Sequence, residues 1–193
     1  MTKLRNIILI VPLIFSQIAC GQTQANQNSS KPSTPPASPN LSQTNSYPNL
    51  KTQARQWAEA FDREDYDKVA SLTYPKQVVL MGGREEMARI LSRSMKRDGW
   101  KMLSTRVEEP KEIIRIEQQL FAVVPTRLKM KAPQGVLVGN GFLIGVSNDN
   151  GETWTFVDGS GGRNQEKVET LLPAAAGRLK LPELNPLMLE SEP

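Results

Sequence analysis

Three polar residues, Thr126, Asn140 and Asp158, interrupt an otherwise apolar set of alternating positions in the second half of this chain. Matching apolar faces across the turn at Gly135 puts Leu128 opposite Val138 and Thr126 opposite Asn140, and pairing Ser147 with Thr153 sets Phe142 opposite Asp158. Asn140 then lies one diagonal step from Asp158. The expected result is a polar spot on an apolar concave surface, with Tyr66 or Tyr74 reaching in from the helices, which is the usual form of a small-molecule site. An aspartate there could act with a raised pKa as a general base on a carbon acid or a hydroxyl. The competing reading is structural: Asp158-Gly159 opens a Gly-rich turn in which Asp satisfies loop amides, and Thr126 and Asn140 hydrogen-bond each other. No residue is assigned as catalytic.

The chain has no histidine and a single cysteine, Cys20, so no Cys/His metal site can be built, and neither a metal nor a cofactor is expected. Asp62, Glu64, Asp65 and Asp67 lie close together, but at the meeting of two helices and without the spacing of a calcium loop; they read as a solvated turn. Arg127, Lys129 and Lys131 form a basic stripe on one strand face and Arg89, Arg93 and Arg97 another on a helix, both expected to be solvated. If either stripe binds, anionic lipid head groups or an acidic envelope polymer are nearer than nucleic acid.

Ser147, Asp149, Gly151, Thr153 and Trp154 fit a compact hairpin turn in which the carboxylate ties down loop amides, Gly takes a positive φ and Trp packs beneath. The segment resembles the Asp-box of sialidases and related propellers, where it recurs around a ring of blades; here it occurs once, and a turn-stabilising role is expected.

The elements that must position these residues follow from periodicity. Leu50, Ala54, Trp57, Ala58 and Phe61 predict a helix capped by Asn49. Tyr66, Val69, Ala70 and Leu72 predict a second, stopped near Pro75, and Met87, Ile90, Leu91 and Met95 a third between Gly83 and Gly99. The period then changes to two, with strands at 101–107, around Ile114 and Ile116, and from Leu120 to Met130. Further strands run from Val136 to Val146 and from Trp154 to Asp158, with Gly139, Gly141 and Gly145 on the reverse face where the sheet can bend. The expected fold is α+β: three N-terminal helices in the concave face of a curved antiparallel sheet, followed by an extended tail able to dock on a strand edge.

This order, closing on Trp154-Thr155-Phe156-Val157-Asp158, resembles the nuclear transport factor two-like cone over residues 50–159. Leu72-Thr73-Tyr74-Pro75-Lys76 and Met81-Gly82-Gly83-Arg84-Glu85 are similar to segments of bacterial envelope proteins of that fold. The resemblance implies an isomerase, a dehydratase or a non-catalytic binding module, and does not choose among them.

Lys3 and Arg5, the apolar run from Ile7 to Phe15 and the small Ala19 form the three parts of an export signal. The run rises only about 14 Å as a helix against a hydrocarbon core of roughly 30 Å. Ile18-Ala19-Cys20 resembles the end of a bacterial lipoprotein signal, which implies lipidation of Cys20. Gln17 stands where such signals usually carry Leu, and ordinary cleavage after Gly21 remains an alternative. The Gln, Asn, Ser, Thr and Pro of residues 20–49 predict a disordered tether, leaving 50–193 as one domain.

Removing residues 1–19 takes Lys3 and Arg5 from 24 cations and nothing from 20 acids, so the exported chain is near neutral and no nucleic-acid partner is expected. The expectation is therefore an envelope lipoprotein, held by lipid to the outer membrane and facing the periplasm. Its domain is expected to bind a small apolar ligand or an envelope protein. The alternatives are an isomerase- or dehydratase-like enzyme using Asp158, or an accessory subunit that forms a homodimer through its sheet.

Overall fold

The computed structural model describes residues 47–160 and 164–190. The signal, Cys20 and almost all of the tether lie outside the described residues. The architecture is α+β, with helices α1 (Pro48–Asp62), α2 (Tyr66–Leu72), α3 (Pro75–Leu80) and α4 (Arg84–Arg97) before the sheet and α5 (Asn164–Leu171) after it. The strands are β1 (Lys101–Val107), β2 (Glu112–Ile116), β3 (Gln119–Ala132), β4 (Gly135–Ser147), β5 (Thr155–Asp158) and β6 (Met188–Leu189). All strand pairs are antiparallel: β3 takes β1 and β2 on one side and β4 on the other, and β4 pairs in turn with β5 and β6.

Leu50, Ala54, Trp57 and Ala58 are buried because their spacing puts them on one side of α1. With Val69 of α2 they pack on Leu120, Ala122, Val124, Leu143, Trp154 and Phe156, the helix-facing side of the sheet. Asn49 does not cap α1. Pro48 opens the helix, its fixed φ suiting the first turn, and Asn49 Nδ2 instead donates to the carbonyl of Glu152 at 3.2 Å. Pro75 likewise starts α3 rather than merely ending α2. Asp62 closes α1 onto β1 by accepting from the amide and hydroxyl of Thr105 at 2.8 and 2.7 Å.

The register differs by one residue from the one apolar matching predicts. A two-residue turn closes β3 on β4 with Ala132 opposite Gly135, so Thr126 faces Gly141, Arg127 faces Asn140 and Leu128 faces Gly139. On the next pair Leu143, not Phe142, faces Asp158, and Val146 faces Thr155. A one-residue slip turns every side chain to the other face. Gly139, Gly141 and Gly145 therefore lie on the helix-facing side; a Cβ at Gly145 would stand 3.0 Å from Leu50 and from Trp154.

Alternation cannot fix this register, because the strands are buried on both faces. On the outer face Phe121, Val123, Phe142, Ile144, Val146 and Val157 are covered by Val168 and Leu171 of α5 and by Leu172, Ala175 and Leu179 beyond it. The tail is held there by Glu112, whose carboxylate accepts from the Lys180 amide at 2.8 Å, and it ends as β6 on the free edge of β4. A helix at 164–171 is absent from the sequence-based expectation, which has only an extended tail after β5.

Candidate functional site

The turn from Ser147 to Trp154 is built by short-range hydrogen bonds. Thr153 donates its amide to Asp149 Oδ1 at 2.9 Å and its hydroxyl to Oδ2, and the Ser147 hydroxyl donates to Oδ1 at 2.8 Å. The hydroxyl of Thr153, its amide and the Ser147 hydroxyl hold the Asp149 carboxyl down at about 2. Gly151 has φ of 93°, and Trp154 Nε1 donates to its carbonyl at 3.0 Å. Gln53 of α1 bridges the turn, accepting from Trp154 N at 2.8 Å and donating to Glu152 O at 2.9 Å. The hairpin thus fastens the first turn of α1, where the N-terminal segment joins the domain.

The five residues expected to line a pocket do not converge. Thr126 is buried on the helix-facing side, and Asp158 lies on the same side, in the row of Leu143. Asn140 pairs with Arg127 and is therefore on the opposite, outer face, exposed to solvent. Tyr66 packs edge-on against Phe61 at 5.8 Å and borders an open cleft of about 350 Å3 with Glu64, Asp65, Asp67, Glu85 and Arg89. Burial raises the pKa of its phenol, and the neighbouring Glu64 carboxylate adds to the rise. Tyr74 packs with the outer-face cluster.

Ser160 replaces Asn140 in the polar spot. A Cβ at Gly141 would stand 2.5 Å from Ser160 Oγ and 2.9 Å from Thr126 Oγ1, so both hydroxyls occupy the space left by this glycine. The Asp158 carboxylate accepts from the Ser160 amide at 2.8 Å, and Lys167 donates to the Asp158 carbonyl at 3.0 Å. These contacts give Asp158 the loop-fastening geometry of an Asp-Gly turn.

The outer face carries a different arrangement where α5 and the tail leave it open. Lys101 stands directly opposite Lys131 and Arg106 directly opposite Arg127, with Lys129 in the row between. Lys101 and Arg106 are an odd number of positions apart and would point to opposite faces of a regular strand. The bulge between Met102 and Ser104 brings them to one face. Arg127 pairs with Glu108 at 2.5 Å and Lys129 with Glu190 at 2.7 Å, whereas Lys101, Arg106 and Lys131 have no ion pair among the described residues. The helix stripe differs: Arg89 and Arg93 pair with Glu86, and Arg97 with Asp98. Arg127, Lys129 and Lys131 were visible as a stripe in the sequence; Lys101 and Arg106 were not, because a bulge has no fixed sequence signature.

No helix among the described residues is long and apolar enough to cross a membrane. No family model and no curated protein matches the chain. Among solved structures, that of Bdellovibrio bacteriovorus Bd1075 is similar at 15% identity over 56% of this chain and 37% of that one, with a TM-score of 0.37.

Proposed function

We propose that this protein is a non-catalytic binding module of the cell envelope, tethered through a lipid on Cys20. Its domain is a nuclear transport factor two-like cone that works through the outer face of its sheet rather than through its interior. The observation that carries this reading is the group of five cations on β1 and β3, with Lys101 against Lys131 and Arg106 against Arg127. Like charges directly opposite on a sheet cost stability, and a neutral pair would pack there without that cost. On the helix-facing side Leu50, Trp57, Trp154 and Phe156 fill the interior, and the hydroxyls of Thr126 and Ser160 take up the space over Gly141, which supports a packed core in place of a ligand chamber. A homodimer through the cationic face would set like charges against like across an isologous interface, so an anionic partner fits better.

The test is retention of the Gly21–Pro193 polypeptide on immobilised dextran sulfate. The triple variant Lys101→Gln/Arg106→Gln/Lys131→Gln is compared with an equal-charge control, Arg55→Gln/Lys68→Gln/Lys96→Gln. Loss in the first and retention in the second is the expected result; equal elution of both would reduce the effect to net charge and refute the reading. Fatty-acid labelling of wild type against Cys20→Ser tests the anchor separately, and equal label in the two would remove it.

A further inference from the structure

We infer that the partner of the cationic face is an anionic phospholipid surface, an inference that rests on the outer face being the working surface. Strand register arranges this face in three rows. Asn140, Arg127 and Arg106 share one; Met188, Val138, Lys129 and Ser104 share the next; Val136, Lys131 and Lys101 share the third. Each row carries a cation on β3, two of them a second on β1, and the β4 and β6 side of two rows is apolar.

Met188 is 66% exposed, and Val136 and Val138 are partly exposed beside it. A hydrophilic polyanion would satisfy the cations and leave these side chains in water. A bilayer interface satisfies both, since head-group phosphates meet the Lys and Arg termini while short apolar side chains enter the boundary with the acyl chains. Leu103, the extra residue of the bulge, is 44% exposed and adds a further apolar side chain next to the cations.

Vesicle co-sedimentation of the Gly21–Pro193 polypeptide tests this, using phosphatidylglycerol vesicles against pure phosphatidylcholine at low and high salt. Binding to phosphatidylglycerol alone, weakened by salt, is expected. Each cation removed should lower the partition coefficient about fivefold, so Lys101→Gln/Arg106→Gln/Lys131→Gln should lower it about a hundredfold, while the Arg55/Lys68/Lys96 control keeps most of it. Met188→Ser should lower it severalfold at unchanged salt dependence, and an unchanged partition would overturn the lipid assignment. Face-dependent binding to dextran sulfate with no binding to phosphatidylglycerol would overturn the lipid inference and leave the binding module standing. Binding to neither, or equal losses in the triple variant and its control, would overturn both.

Discussion

Replacing Gly145 with alanine tests the strand register through the sign of a stability change. Gly145 pairs with Ala122 and Phe156, and on this register a methyl group would enter the helix-facing core, 3.0 Å from Leu50 Cδ1, 3.0 Å from Trp154 Cε3 and 3.4 Å from Phe156 Cε1. Its φ is outside the left-handed region, so alanine carries no backbone strain there. Removing a strand glycine by itself would stabilise by about 0.5 to 1 kcal/mol. Against that, Trp154 cannot yield easily, because its indole N–H is bonded to the Gly151 carbonyl at 3.0 Å. Forcing a methyl into such packing costs about 1 to 3 kcal/mol, so the net should be destabilising by about 1 kcal/mol, a fall in Tm of about 4 °C. Leu50→Ala alone should cost about 2 to 5 kcal/mol through its cavity, and the double variant should be less destabilised than the sum, because Leu50 Cδ1 is one of the atoms the methyl meets. Urea denaturation at 25 °C of the four proteins gives both numbers. Stabilisation by Gly145→Ala would place this residue in open space and refute the register.

The remaining predictions concern the turn, the paired cations and the tail. The Asp149 carboxyl is held down to about 2 from 3.8, so its contribution is complete above about pH 4 and is lost as pH falls toward 2. The melting temperature of Asp149→Asn should therefore lie below that of wild type at pH 7 and converge on it near pH 2. Gly151→Ala should cost about 1 to 3 kcal/mol, since φ is 93° and the new Cβ would fall 2.2 Å from Tyr47 Cδ1; unchanged melting would contradict this turn. Lys101→Gln should stabilise by about 0.2 to 1 kcal/mol through relief of the Lys131 contact, with the gain shrinking as salt is added, and a salt-independent change would remove the like-charge explanation. Glu112→Ala should cost about 1 to 3 kcal/mol and speed amide exchange over 179–189, because the Lys180 amide loses its buried acceptor.

Local chemistry made much of this protein legible. The turn from Ser147 to Trp154 can be read from spacing because its hydrogen bonds join atoms only a few residues apart. The apolar period of α1 and α4 and the alternation of β3 locate those elements for the same reason: each periodicity is a property of a single segment. Helix α5 escaped because only Val168 and Leu171 mark its buried side, a pattern too sparse to stand out from a loop. The polar spot was misassembled at a longer range. Thr126 and Asp158 do share a face, but pairing of Ala132 with Gly135 sets Thr126 against Gly141 instead of Asn140, which sends Asn140 outward and leaves Ser160, from beyond β5, in its place.

By itself the sequence determined helices α1, α2 and α4, strands β1 to β5, their order and the chemistry of the Ser147–Trp154 turn, because propensity, periodicity and short-range hydrogen bonds act within one segment. Tertiary structure decided the register and everything that follows from it. A strand buried on both faces has no polar side to declare which way it turns, so the covering of the outer face by α5 and the tail erased the signal that alternation carries. The cationic face is the clearest case: Lys101 and Arg106 meet Lys131 and Arg127 only because a bulge in β1 adds one residue and turns the rest of that strand over.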